Sequence, residues 1–293
     1  METRHCGTQR QTGLYVVSLI VLLAFIIIVI TVICLEKFDQ PTGQPVYPTS
    51  QPTGQPVYPT TSYKNEFPKY VKWNKEDVKK LQTALGVKAD GRLGPETGNA
   101  IRAYKYRNGL KVDGSAGPET RKSLGLTGLK TSSNFRYVAD LESIANGATS
   151  DYLIYISDYS KKIAVYHRES AGYWKCLYYA NCSTGKDASP TPLGDDVIQR
   201  RVVSFKNEKK YWCYAVFFSG NYGIHSTSCT SSDPAVGQFE DADSQIGKKL
   251  SSLGCIVVEP NLAKFIYNNC PDGTHVVRDD RKLNNYDPFS INS

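Results

Sequence analysis

The chain has 293 residues, 40% of them apolar and 22% charged, with a formal net charge of +7. This is the composition of a foldable chain with room for one or two domains plus accessory segments, and it excludes an intrinsically disordered protein. The positive charge suits an anionic surface such as a cell envelope; no basic helix or stripe gathers it into a nucleic-acid footprint, so no nucleic-acid partner is expected.

No charged residue occurs from Gln11 to Leu35, and Leu14 to Cys34 is almost wholly aliphatic. A run of about 20 such residues matches the roughly 30 Å hydrocarbon core of a bilayer. A cleaved signal peptide would carry a shorter apolar region of about 7–15 residues and then a small-residue cleavage site. Leu35-Glu36-Lys37-Phe38 offers no such site. The expectation is a cytoplasmic tail over 1–12 and a single-pass membrane anchor over 13–35. Arg4 and Arg10 before the span keep the tail inside and put the chain from Glu36 onward outside.

Gln40–Ser50 (QPTGQPVYPTS) and Gln51–Thr61 (QPTGQPVYPTT) form a tandem eleven-residue repeat with three prolines per unit. Proline fixes φ and lacks an amide donor, so the tract can be neither helix nor interior strand. Residues 36–70 are read as an extended, polyproline-like stalk, at about 3.1 Å per residue.

Residues 71–126 carry a second internal repeat. Asp90-Gly91-Arg92-Leu93-Gly94-Pro95-Glu96-Thr97 recurs as Asp113-Gly114-Ser115-Ala116-Gly117-Pro118-Glu119-Thr120. Each copy sets an Asp-Gly turn before a Gly-Pro-Glu helix start, where proline suits the first helical position and glutamate the positive helix end. Val78, Leu81 and Leu85, then Ile101 and Tyr104, keep helical apolar spacing. Three short helices joined by two equivalent loops are predicted. With Leu81-Gln82, Ala100-Ile101 and Asn108-Gly109-Leu110, the unit resembles a peptidoglycan-binding domain of the three-helix type. The resemblance implies binding of glycan or peptide stem near these loops, with no single residue assigned.

Residues 127–150 read as a polar connector with a helix around Tyr137–Asn146. Residues 151–280 are β-rich, with strands expected at Tyr152–Ser157, Lys162–His167, Trp174–Ala180, Val197–Phe205, Tyr211–Phe218 and Thr274–Val277, one helix at Asn261–Asn269 opened by Pro260, and a tail over 281–293. Many short strands with one helix argue for a mostly antiparallel sandwich or barrel, and for an α+β multidomain chain overall.

Of eight cysteines, Cys6 falls in the tail and Cys34 in the anchor, leaving Cys176, Cys182, Cys213, Cys229, Cys255 and Cys270 outside. If Cys255 is kept as a thiol, disulfides among the other five are open, in no readable pattern. Zinc is not expected, because no C-x-x-C pair exists and His225 stands apart from other ligands. His225 ends an aromatic, apolar strand in Asn221-Tyr222-Gly223-Ile224-His225-Ser226. Cys255 follows a glycine and is expected to precede a helix, so that backbone amides can face a bound carbonyl. A free thiol has a pKa of about 8.5, and a neighbouring imidazole would raise its thiolate fraction.

Taken in order, Ser183-Thr184-Gly185-Lys186, then Thr191-Pro192-Leu193-Gly194 (a TPxG turn), Gly223-Ile224-His225-Ser226 and Ser252-x-Gly254-Cys255-Ile256 resemble the L,D-transpeptidase (YkuD-type) catalytic domain, over Asp151 to Arg278. The resemblance implies Cys255 as nucleophile and His225 as general base and acid. The Ser226 main-chain carbonyl would orient the imidazole and the Gly254 amide would bind the oxyanion. Tyr222, Gly223, Ser252 and Leu253 would line the substrate. No metal or cofactor is implied. The partners would be peptidoglycan, as a stem-tetrapeptide donor and a diamino-acid amine acceptor, and the membrane through 13–35; the product would be a 3→3 cross-link made on the outer face. A carboxypeptidase-type hydrolase and a non-catalytic wall-binding protein are the alternatives on the same fold. Two residues depart from the family's pattern: Leu253 replaces its usual histidine, and Val257 its usual arginine or asparagine. The 29 residues between His225 and Cys255 are more than is usual, and carry Asp233, Glu240, Asp241 and Asp243. They read either as an acidic lid that attracts an amine or as a solvated loop.

Overall fold

The computed structural model describes residues 67–283 apart from 132, 170–171, 208, 242–245 and 248–251. The expected tail, the anchor over 13–35 and nearly all of the stalk lie outside these residues. Among the described residues no helix is long and apolar enough to cross a membrane, so the expected membrane association finds no support there.

Three helices form as the repeat predicts: α1 (Lys75–Leu85), α2 (Pro95–Arg107) and α3 (Pro118–Ser123). Asn74 caps α1, its side chain accepting from the Glu76 and Asp77 amides at 3.1 Å, and Gly86 closes it at φ +72°. Val78, Leu81 and Ile101 meet Ala116 and Phe135 in a small core. Phe135 comes from the connector, where β2 (Phe135–Arg136) pairs antiparallel with β1 (Ser115–Ala116). The two repeat copies end in different surroundings. Asp90 accepts from Gln82 Nε2 and the Arg92 amide, both at 2.8 Å. Asp113 instead takes the Lys105 ammonium and the Ser115 amide. Its neighbour Gly114, at φ +68°, lies so close to Asp280 that an added Cβ would stand 2.1 Å from the carboxyl carbon. Leu93 of the first copy packs against the cluster that holds Leu153, Leu193 and Val277, so both copies meet the β-rich region, at different places.

The connector helix α4 (Leu141–Gly147) is shorter than expected. Tyr137 to Ala139 stay outside the helix because their backbone bonds go elsewhere: the Asp280 amide donates to Tyr137 O, and the Ala139 amide to the Asp279 carboxylate.

The β-rich region is two five-stranded sheets. One runs β5 (Trp174–Asn181), β4 (Lys162–Arg168), β3 (Tyr152–Ser157), β12 (His275–Asp279), β6 (Gly194–Val197); the other runs β10 (Ser228–Cys229), β8 (Lys210–Ser219), β9 (Tyr222–Ser226), β11 (Ile256–Val258), with β7 (Arg200–Asn207) also on β8. Ile154, Ile156 and Val165 face Val216, Phe218, Ile224, Ile256 and Val258 between the sheets, joined by Leu262 and Ile266 of α5 (Pro260–Asn269). Leu153 and Tyr155, on the other face of β3, pack against Leu141 and Ala145 of α4. Burial on both faces explains why β3 reads as an unbroken apolar run. The pairing is mostly antiparallel, as expected, with two parallel pairs, β3–β12 and β9–β11.

The single strand expected over Val197–Phe205 is two. The chain changes sheets at Ile198-Gln199, where the Ile198 amide donates to Thr274 O and the Gln199 amide to Phe217 O. Local residue pattern cannot reveal such a switch, since it does not record which strand each half pairs with.

Candidate active site

Strand β9 pairs with β8, Ile224 opposite Val216. Ile224 points into the core, so by strand alternation His225 points to the other face. There its ring lies 5.0 Å from the Trp212 ring and 5.4 Å from the Phe205 ring, centroid to centroid, and only 4% of the residue is exposed. His225 Nδ1 is 2.8 Å from the Ser226 carbonyl. A carbonyl can only accept, so Nδ1 carries the hydrogen and Nε2 keeps its lone pair in the neutral ring. Burial pushes the imidazole down to about 4, against the opposing pull of that carbonyl.

Cys255 is brought to the same place by β11. Ile256 stands opposite Ile224 and Val257 opposite His225, in parallel register. Cys255, one residue earlier, is therefore level with Gly223, and His225 is the next residue along β9 on that face. The thiol donates to Asn221 O at 3.6 Å, the Gly223 amide faces the sulfur, and burial raises the thiol above its usual pKa. With the imidazole lowered and the thiol raised, the resting pair is neutral, not the thiolate expected from proximity alone. Cys255 also precedes a strand and not a helix; α5 begins only at Pro260.

The residues before Cys255 form a tight loop. Gly254 sits at φ +119° with the Tyr222 ring where a Cβ would be, 2.3 Å away, so both its backbone angle and its packing require glycine. Ser252 Oγ accepts from the Gly254 amide at 3.0 Å and donates to Cys255 O. The Gly254 amide, expected as an oxyanion donor, is thus held by Ser252. A second loop supports the first. Thr191 Oγ1 donates to Gly254 O at 2.8 Å while accepting from the Gly185 amide at 2.9 Å. Ser189 Oγ donates to Leu253 O at 2.9 Å, and the Lys186 amide to Ser252 O at 3.0 Å. The TPxG and Ser-Thr-Gly-Lys motifs are therefore structural partners of the cysteine loop. Sequence reasoning gave Thr191, Ser189, Phe205 and Trp212 no part in the site; TPxG was a signal for the first, and nothing local singled out the others.

Of the expected lining residues, Tyr222 packs on Gly254, and Gly223 lies beneath the sulfur where a Cβ would meet Val216 O at 2.7 Å. Leu253 projects outward, 68% exposed. Val257 is buried and exchanges backbone bonds of 2.9 Å with Ser183.

In the segment between β9 and β11, Glu240 is paired with Lys210, and Asp233 accepts from the Ala235 amide as a turn cap. Asp243 lies outside the described residues. Two of the four carboxylates read as a lid are thus engaged locally. The buried Cys213 and Cys229 thiols touch, and all six described cysteines are unbridged. Among the described residues no group of three or more His, Cys, Asp or Glu is placed to hold a metal ion.

Residues 151–277 match the sequence model of the YkuD family, the L,D-transpeptidase catalytic domain. Segment 151–277 is a YkuD-type domain. Residues 74–124 match the model of a peptidoglycan binding domain. The YkuD-type match supports a peptidoglycan-related transpeptidase. No curated protein matches the chain. Among solved structures, the chain is similar to a fused Zn-dependent amidase/peptidase/peptidoglycan-binding domain-containing protein from Clostridium acetobutylicum, at 25% identity over 69% of this chain and 95% of that one, TM-score 0.35. An L,D-transpeptidase from Mycobacterium smegmatis is 17% identical over 44% of this chain and 58% of that one, TM-score 0.36. Another from Stackebrandtia nassauensis is 18% identical over 74% and 97%, TM-score 0.34.

Proposed function

We propose that the chain is a cell-wall L,D-transpeptidase that forms 3→3 cross-links through an acyl-enzyme on Cys255. The observation that supports the reading is the β9–β11 register, in which Ile256 and Val257, directly after Cys255, lie level with Ile224 and His225. In the first step His225 Nε2 takes the thiol proton as sulfur attacks the carbonyl of the third stem residue, a diamino acid. The C–N bond to the terminal D-alanine breaks, and the imidazolium returns the proton to the leaving amine. In the second, the side-chain amine of a neighbouring stem attacks the thioester, and sulfur leaves with the proton that His225 relays. A neutral imidazole beside a protonated thiol suits this order, since proton transfer accompanies attack. The Ser226 carbonyl fixes the tautomer that leaves Nε2 free to act. The oxyanion is assigned to the Cys255 and Gly254 amides, the latter exchanging Ser252 for substrate, each donor worth about 2.7–4 kcal/mol. Leu253, exposed beside the cysteine loop, and Val257, buried level with His225, are apolar where the family's pattern is polar. No metal or cofactor enters either step. The reaction is placed outside the cell membrane, where its substrate lies, with 13–35 as the anchor.

The test is to incubate the purified full-length chain with disaccharide-tetrapeptide and identify products by mass spectrometry. Cross-linked dimers with free D-alanine are expected, and Cys255→Ala should make none. Free tripeptide alone would reassign the chain to hydrolysis. Unchanged substrate would leave a wall-binding protein, and product from Cys255→Ala would remove the cysteine from the mechanism.

A further inference from the structure

The loop that supports Cys255 is itself held from outside the YkuD-type domain. Thr191, Pro192 and Leu193 offer three successive carbonyls, and a side chain claims each one. Arg102 Nη1 donates to Thr191 O at 2.9 Å, Arg278 Nε to Pro192 O at 2.7 Å, and Asn99 Nδ2 to Leu193 O at 3.3 Å. Asn99 Oδ1 also accepts from the Leu193 amide at 3.0 Å. Arg102 and Asn99 lie on α2, within the segment that matches the peptidoglycan binding domain. Contact this close requires Gly98, where an added Cβ would stand 2.7 Å from Leu193 Cδ1 and 2.9 Å from Tyr137 Cβ. The grip is rigid. Arg102 is 3% exposed and its guanidinium also binds the carboxylates of Asp280 and Asp158, and breaking a buried charge pair of this kind is strongly unfavourable.

We infer that Asn99 and Arg102 are positioning residues for Cys255, acting from the helical unit through the Thr191–Leu193 turn. The path is continuous: α2 holds the main chain of the turn, Thr191 Oγ1 holds Gly254 O, and Gly254 is bonded to Cys255. The helical unit is then part of the active-site scaffold as well as a binding module. This goes beyond the transpeptidase reading but rests on it for its catalytic readout.

Asn99→Ala and Arg102→Gln in the full-length chain test it, with two measurements. Steady-state assays on the tetrapeptide substrate should show kcat reduced about 10- to 100-fold, as sub-ångström displacement of a nucleophile can do, with KM little changed. Iodoacetamide labelling of Cys255, followed by mass spectrometry across a pH series, should show its labelling profile moved to lower pH, because a loosened loop relieves the burial that raises the thiol. Asn99 is only half-buried, so its variant keeps the test alive if Arg102→Gln fails to fold. A folded Asn99→Ala chain with wild-type kcat and an unmoved labelling profile would overturn the inference. Should the wild-type chain yield no product, the transpeptidase reading falls alone, and the labelling profile still decides the positioning role.

Discussion

His225 lies on a strand and Cys255 directly before the strand that pairs with it, and the two are held by different kinds of structure. His225 belongs to a strand that pairs with β8 on one side and β11 on the other, its own register partner being Val257, and its ring is walled by Phe205 and Trp212. Cys255 ends an irregular loop whose carbonyls are fixed one at a time by Thr191, Ser189 and Ser252 hydroxyls. A ladder spreads its stability over many bonds, whereas the loop depends on single side chains. His225, the proposed base, is therefore the robust half of the proposed site and Cys255, the proposed nucleophile, the fragile half.

Gly254→Ala should test that contrast hardest. A Cβ there meets the Tyr222 ring at 2.3 Å and φ is +119°, a conformation that costs a non-glycine residue about 1–3 kcal/mol. Turnover should fall about 100-fold or more as the loop shifts, with a lower thermal midpoint; wild-type turnover would break the contrast. Thr191→Val comes next. It strips the Gly185 amide and the Gly254 carbonyl of their buried partner, which should cost about 1–3 kcal/mol in urea unfolding, while Thr191→Ser keeps both bonds and should stay near wild type.

On the histidine side the expected effect is a pH dependence. His225 is held down to about 4 against an ordinary 6.5. Between those values the unfolded chain binds a proton that the folded chain refuses, so this group's contribution to stability falls as pH drops through the window and is constant above it. The slope is at most about 1.4 kcal/mol per pH unit. His225→Gln should flatten the thermal midpoint between pH 6.5 and 4, and a wild-type slope in that variant would mean that another group titrates. Trp212→Ala, by wetting the ring, should move the same transition to higher pH. The smallest effect is expected at Glu240→Gln. Its pair with Lys210 is half exposed and worth no more than about 1 kcal/mol, so unfolding and acceptor use should both hardly change. A large loss of acceptor transfer would restore the acidic lid.

Much of this was legible in the residues. The Asp-Gly and Gly-Pro-Glu signals placed three helices, because turn and cap chemistry acts over a few positions. Strand runs appeared within a residue or two, and the ordered motifs led to His225 and Cys255. The failures share a cause. The 194–207 region switches sheets at Ile198, α4 begins late because Asp279 and Asp280 hold the preceding backbone, and Thr191 turned out to be a buttress. Each is settled by a partner tens of residues away or more.

The chain alone determined its local elements and its repeat, since those follow from periodicity, capping and residue chemistry over short spans, and its ordered motifs pointed to Cys255 and His225 as the pair proposed to react. The tertiary structure decided the rest. The parallel register of β9 and β11 sets Ile256 and Val257, which follow Cys255, level with Ile224 and His225, burial lowers the imidazole and raises the thiol, and Arg102 reaches a turn 89 positions away. Long-range packing and desolvation have no counterpart in local pattern, because they depend on which surfaces meet once the chain has closed.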